Sequence, residues 1–189
     1  MVEKIATEVF PKFEKWDSFL ELIHQKSNIT DYFISGYRSI LKGKVAMEFD
    51  TWKVDFDNRL DVFFYPSGYP SRKSLELWIE NGFQLSFWVN LEFFDVEKVK
   101  VLVNNEKFIL ETLLTHSISI SELANDPYIF KVNIDYDLPF NVQHNFDKLV
   151  FFANKELPDE ILRVIRPIIT NDRIIELFHR INTQCLKLQ

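Results

Sequence analysis

The sequence predicts an α+β fold: an antiparallel meander sheet of about five strands, with helices at both termini and one after the sheet. Three observations predict it. Apolar and polar residues alternate through much of residues 44–93, the period of half-buried strands. Before and after that stretch the apolar period becomes helical. The chain of 189 residues holds 19 Phe, and such aromatic mass fits a pleated, half-buried surface.

The elements follow in order. Residues 11–26 place Phe13, Trp16, Leu20 and Ile23 at helical spacing, with Pro11 in the first turn. Residues 31–41 match helix and strand templates about equally, and Gly36 weakens both. KVAMEF (44–49) reads as a strand with Val45, Met47 and Phe49 on one face. WKVDF (52–56) and RLDVFFY (59–65) read as the arms of a hairpin around Asp57-Asn58-Arg59. That loop pairs Phe56 with Leu60 and Val54 with Val62.

SLELWIE-NG-FQLSFWVNLEF (74–93) is a second hairpin around Asn81-Gly82, a pair that favours positive φ. A two-residue turn would mix the faces. A three-residue loop, Asn81-Gly82-Phe83, sets Ile79 opposite Leu85, Leu77 opposite Phe87 and Leu75 opposite Val89, with Gly82 left-handed in a bulge.

Asp95 reads as the N-cap of a helix carrying Val99, Leu102, Val103, Leu110 and Leu113, divided or kinked at Asn104-Asn105. YIFKVNIDY (128–136) is a further strand, and LVFFAN (149–154) is too short to assign by period. Pro158 opens a helix bearing Ile161, Leu162, Ile165 and Ile169, which Pro167 interrupts or ends. Asn171 caps the last helix, with Ile174, Ile175, Phe178, Ile181 and Cys185 as its stripe. The whole, residues 1–189, reads as one domain, helix-rich from about residue 156. There is no βαβ alternation, no G-x-G-x-x-G and no Walker pattern.

Net charge is −6, which argues against a long basic groove for nucleic acid and suits a basic protein partner. A single cysteine, Cys185, excludes an intramolecular disulfide and reads as a packing residue. Glu3, Lys4 and Glu8 break the apolar run a signal peptide needs, and no segment has the apolar length of a membrane span. The expected location is the cytoplasm, with no membrane partner.

Candidate chemistry starts with carboxylates. In the 52–65 hairpin Asp55 faces Asp61 across the pair, Asp57 sits on the turn and Asp50 ends the preceding segment. Opposed like charges destabilise a strand pair, so the cluster is either a divalent-metal site or a solvated face diluted by Lys53 and Arg59. Asp135 and Asp137 join it if their strand is adjacent. A Glu-x-Lys, which one metal-dependent nuclease pattern requires, is absent.

His24 and His179 read as helix C-terminal residues, and His144 is the histidine freest for chemistry. No His pair has ligand spacing, and no G-x-S-x-G nominates a nucleophile. The connection YPSGYPSRKS (65–74) either presents Tyr65, Tyr69, Arg72 and Lys73 to a partner, or simply joins two strands with its rings packed back. Trp78 and Trp88 lie diagonally on the outer face of the second hairpin, either covered or forming an interaction patch.

The expected function is a non-catalytic protein-binding module, such as an inhibitor or a toxin-neutralising, immunity-type protein, with no cofactor. Its candidate partner-binding residues are Tyr65, Tyr69, Arg72, Lys73, Trp78 and Trp88. The alternative is a metal-dependent enzyme acting on phosphodiesters through Asp55, Asp57 and Asp61. A homodimer through the Trp-bearing face is compatible with both.

Overall fold

The computed structural model describes residues 13–58, 60–138 and 156–187, leaving aside the side chains of residues 13–16 and Phe19. Its first element, α1 (Phe13–Glu48), is one helix of 36 residues. The sequence predicts three things there: a helix to residue 26, an open segment at 31–41 and a strand at 44–49. From Phe13 to Glu48 all three are helix. Ile23, Ser27, Thr30, Ile34, Tyr37, Leu41 and Val45 follow one another at spacings of three or four, a continuous helical stripe. Val45 and Phe49 fit this stripe as well as they fit a strand, and the Phe49 amide donates to the Val45 carbonyl at 2.9 Å. Met47, the third residue of the expected strand face, is 87 % exposed. His24 therefore lies mid-helix and not at a C-terminus.

The sheet comprises β1 (Trp52–Phe56), β2 (Val62–Pro66), β3 (Glu76–Glu80), β4 (Gln84–Trp88) and β5 (Tyr128–Asn133), antiparallel and in chain order. The β3–β4 register matches the expected one, with Leu77 opposite Phe87 and Ile79 opposite Leu85. Asn81 and Gly82 both take positive φ, 53° and 75°, and Phe83 supplies the extra loop residue.

The β1–β2 register differs from the expected one by two residues. Phe56 pairs with Val62 and Val54 with Phe64, because the connection is longer. The Asp57 amide donates to the Asp61 carbonyl and the Asp61 amide to that of Asn58. A two-residue slip keeps every side chain on its face, so alternation alone cannot distinguish the two registers. Asp55 consequently faces Phe63 and not Asp61.

Helices α2 (Val96–Asn105) and α3 (Lys107–Leu114) are separated at Glu106, one residue past the predicted Asn-Asn break. The Asp95 carboxylate caps α2 by accepting the Lys98 amide. Helix α4 (Leu157–Ile169) has Pro158 in its first turn and keeps Pro167 inside, ending two residues later. Helix α5 (Asp172–Gln184) is capped by Asn171, whose side chain accepts from the Arg173 and Ile174 amides. Its buried stripe uses Ile174, Leu177, Phe178 and Ile181, while Ile175, expected inside, is exposed. Cys185 is buried, as expected.

The helices pack on the face of the sheet that carries Trp52, Val54, Phe64, Leu77, Ile79, Leu85 and Phe87. Phe178 of α5 makes edge contacts with Trp52 and Phe87 at centroid distances of 5.0 and 5.1 Å. Buried Asn182 on α5 accepts the Leu75 amide at 2.6 Å, tying α5 to the start of β3. Asn182→Ala leaves that buried amide unpaired, and we expect a loss of about 1–3 kcal/mol in denaturant unfolding. Among the described residues no helix is long and apolar enough to cross a membrane. The predicted segment LVFFAN and His144 lie outside the described residues.

Candidate functional site

The opposite face of the sheet holds a second cluster, Phe63, Tyr65 and Trp78, with Trp88 packed against it. Trp78 and Trp88 are diagonal neighbours with centroids 5.4 Å apart, as the register implies. What covers them is Arg72, from the connection between β2 and β3. Its guanidinium lies 3.9 Å from the Phe63 centroid, 4.5 Å from Trp78 and 5.5 Å from Trp88. Such stacking contributes about 0.5–2 kcal/mol, depending on desolvation. Arg72 adopts φ 62°, a left-handed conformation that a side-chain-bearing residue takes only under external constraint.

The constraint is visible. The Arg72 amide donates to Glu76 Oε1 at 2.6 Å, and its guanidinium reaches Asp57 Oδ2 at 3.1 Å and Glu76 Oε2 at 3.8 Å. Glu76 is 0 % exposed. Burial pushes its carboxyl up to about 7, against the downward pull of the Arg72 amide and guanidinium, and Asp55 adds to the rise. Glu76 Oε2, Trp78 Nε1 and Ser86 Oγ are all buried with no hydrogen-bond partner.

The rest of the connection packs back as well. Tyr65 is buried, the Tyr69 hydroxyl meets His179 Nδ1 on α5 at 2.8 Å, and the Lys73 ammonium lies 5.1 Å from the Phe93 ring. Of the six residues nominated as a partner surface, Tyr65 and Trp78 are buried, Tyr69, Arg72 and Trp88 are half-buried, and Lys73 is exposed. The sequence gives no signal for Glu76, because its meaning depends on Arg72 folding over it.

The carboxylates do not converge. Asp55 is exposed and turns back to accept the Phe56 amide. Asp57 pairs with Arg72. Asp61 is buried and accepts the Asn81 amide at 2.6 Å, fixing the left-handed turn between β3 and β4. Burial raises the Asp61 carboxyl, and the Asn81 amide partly offsets that rise. Asp135 and Asp137 follow β5, at the edge of the sheet farthest from β1, so they cannot join this group. Among the described residues no set of three or more His, Cys, Asp or Glu side chains is placed to hold a metal ion.

Two other features stand out. A cavity of about 290 Å³ lies between the end of α3, the end of β5 and α4, with His116, Asn133, Asp135 and Arg163 at its polar rim. Its charged groups are already engaged. His116 Nε2 meets Asp135 at 3.0 Å and its Nδ1 meets the Leu114 carbonyl, while Arg163 holds Glu160 and the Asp135 carbonyl.

The second feature is α1. Its C-terminal part buries Ile34, Tyr37, Leu41 and Val45 in the core, but its N-terminal part does not pack in the same way. There Leu22 is 59 %, Ile23 50 % and Tyr32 70 % exposed, and Ile29 is exposed one heptad after Leu22. Asp17, Glu21 and Asp31 are exposed on a different sector of the helix. The sequence reads Phe13, Trp16, Leu20 and Ile23 as one face of an amphipathic helix over residues 11–26. Comparison with protein-family models, with curated proteins and with solved structures returns no match.

Proposed function

We propose that the chain is a non-catalytic, cytoplasmic protein-binding module that docks through the N-terminal half of α1. One observation carries this reading: among the described residues, the N-terminal half of α1 leaves the large apolar side chains of Leu22, Ile23, Ile29 and Tyr32 exposed. A group of exposed large apolar side chains is the usual mark of a partner surface. A net charge of −6 favours a basic partner over a second copy of the same acidic chain. An inhibitor or toxin-neutralising role fits an acidic module of this kind.

The test uses the double variant Leu22→Glu/Ile29→Glu. Both side chains are exposed, so unfolding free energy should change by no more than about 0.5 kcal/mol per site. Binding to a basic partner recovered with the wild-type chain should fall at least tenfold. Undiminished binding by the variant would place the docking face elsewhere. Sedimentation of both proteins decides whether the lost contact is with a second copy instead.

A further inference from the structure

We infer that the connection between β2 and β3 is a proton-dependent latch: Arg72 stays closed over the Phe63–Trp78–Trp88 rings while Glu76 is protonated, and ionisation of Glu76 loosens it.

The connection is pinned at its two ends and held differently between them. Near one end the Ser67 amide donates to the Thr51 carbonyl and the Tyr69 hydroxyl meets His179. At the other the Leu75 amide donates to Asn182. Between these anchors Arg72 is held at a left-handed φ by its amide bond to Glu76, by its ion pair with Asp57, by the turn in which the Lys73 amide donates to the Pro70 carbonyl, and by its guanidinium stack on three rings. Releasing Arg72 relieves that backbone conformation and opens the face of the rings to water.

Glu76 decides the balance. It stands on the outer face of β3, next to Trp88 of β4 and on the side of Tyr65 of β2. The groups that act on it are Arg72 from the connection, Asp55 from β1, and Tyr65, whose phenol shares its field. Asp57 acts through Arg72. On β5, Lys131 is engaged with Glu80 and Tyr128.

When Glu76 ionises, the carboxylate has one strong hydrogen bond, from the Arg72 amide. Its other oxygen has no hydrogen-bond partner, and the nearest guanidinium nitrogen is 3.8 Å away. A buried carboxylate needs two or three donors to offset lost hydration. Burial is accordingly the largest influence on this group and places its titration near 7. If an open connection returns Glu76 to its ordinary 4.5, ionisation raises the opening constant by up to about two orders of magnitude.

The experiment follows the indole N–H resonances and the iodide quenching of the full-length chain between pH 5.5 and 8.5. Trp78 and Trp88 are identified by Trp→Phe variants, and Trp52, buried on the inner face, is the internal control. The wild type should show both outer indoles shifting together, with quenching that increases with a midpoint near 7. Glu76→Gln, which keeps the acceptor for the Arg72 amide and cannot ionise, should remain closed and pH-independent. Arg72→Ala should be quenchable at every pH. An unchanged titration in Glu76→Gln overturns the proposal, as does a wild type whose outer indoles never titrate. Should the Gln variant fold poorly, the ¹³C carboxyl shift of Glu76 in the wild type decides. Titration together with the indoles supports the latch, and titration below pH 5 overturns it.

Discussion

Phe87→Ala should lower the unfolding free energy by about 3–5 kcal/mol, a large share of the 5–15 kcal/mol typical of a domain. Phe87 is fully buried in β4, opposite Leu77 on one side and Phe130 on the other. Its ring lies 4.9 Å from Phe130 and 5.1 Å from Phe178 of α5. Truncation removes the apolar transfer energy of the ring and leaves a void between a sheet and a helix that cannot both close in. Urea or guanidinium unfolding measures the loss. Phe108→Ala is the matched control, because Phe108 is 79 % exposed and should change stability by less than about 0.5 kcal/mol. A Phe87→Ala loss below about 1 kcal/mol would mean that α5 does not pack on the sheet through Phe178.

Phe87 was legible in the sequence. The β3–β4 hairpin allowed only one register that put six apolar residues on one face, and Asn81-Gly82 supplied the turn conformation that this register needs. The helix caps Asp95 and Asn171 were legible for the same reason. Each depends on chemistry within three residues, which a linear sequence displays directly.

Features that depend on a longer window were misread. Val45 and Phe49 fit both periods, and only the stripe running back through Leu41, Tyr37 and Ile34 identifies a helix. The β1–β2 pairing was misplaced by two residues because such a slip conserves the faces. The proposed Asp55–Asp61 opposition went with it. Asp61 then proved to be a turn acceptor for Asn81, a partner twenty residues away.

The outer-face site shows the same limit at a larger scale. Arg72, Trp78 and Trp88 were each singled out, but as separate surface groups. Their relation is set by a backbone conformation at Arg72 that residue type disfavours, so no propensity argument reaches it. Glu76 reads as an ordinary outward-facing strand residue until the connection folds over it. The exposed apolar residues of α1 were hidden by the opposite error. An amphipathic pattern predicts that a face will be covered, and it does not distinguish cover within the chain from cover by a partner.

Glu76→Gln should make the protein more stable at pH 8 by about 1–3 kcal/mol and at pH 5 by less than about 1 kcal/mol. The sign follows from the direction of the shift. The folded chain holds the Glu76 proton up to about 7, whereas the ordinary value is 4.5. Between those limits the folded state binds more proton than the unfolded one, so the Glu76 contribution is complete below about 4.5 and is lost as pH rises through 7. Gln fills the same space and accepts from the Arg72 amide, and it has no charge to bury. The rise to about 7 is already net of the attraction of the Arg72 guanidinium, so that attraction is not subtracted again.

Asp95 and Glu160, whose carboxyls are held low by Lys98 and Arg163, give stability the opposite pH dependence. They act equally in both proteins and cancel in the difference. Asp61, raised by burial in the same direction as Glu76, cancels too. Chemical unfolding of both proteins at pH 5 and pH 8 therefore isolates one carboxylate. A Gln variant less stable than wild type at pH 8 would mean that the Arg72–Glu76 attraction exceeds the cost of burial. Glu76 would then be an anchor that holds Arg72 more firmly as pH rises, and the latch would work in the reverse sense.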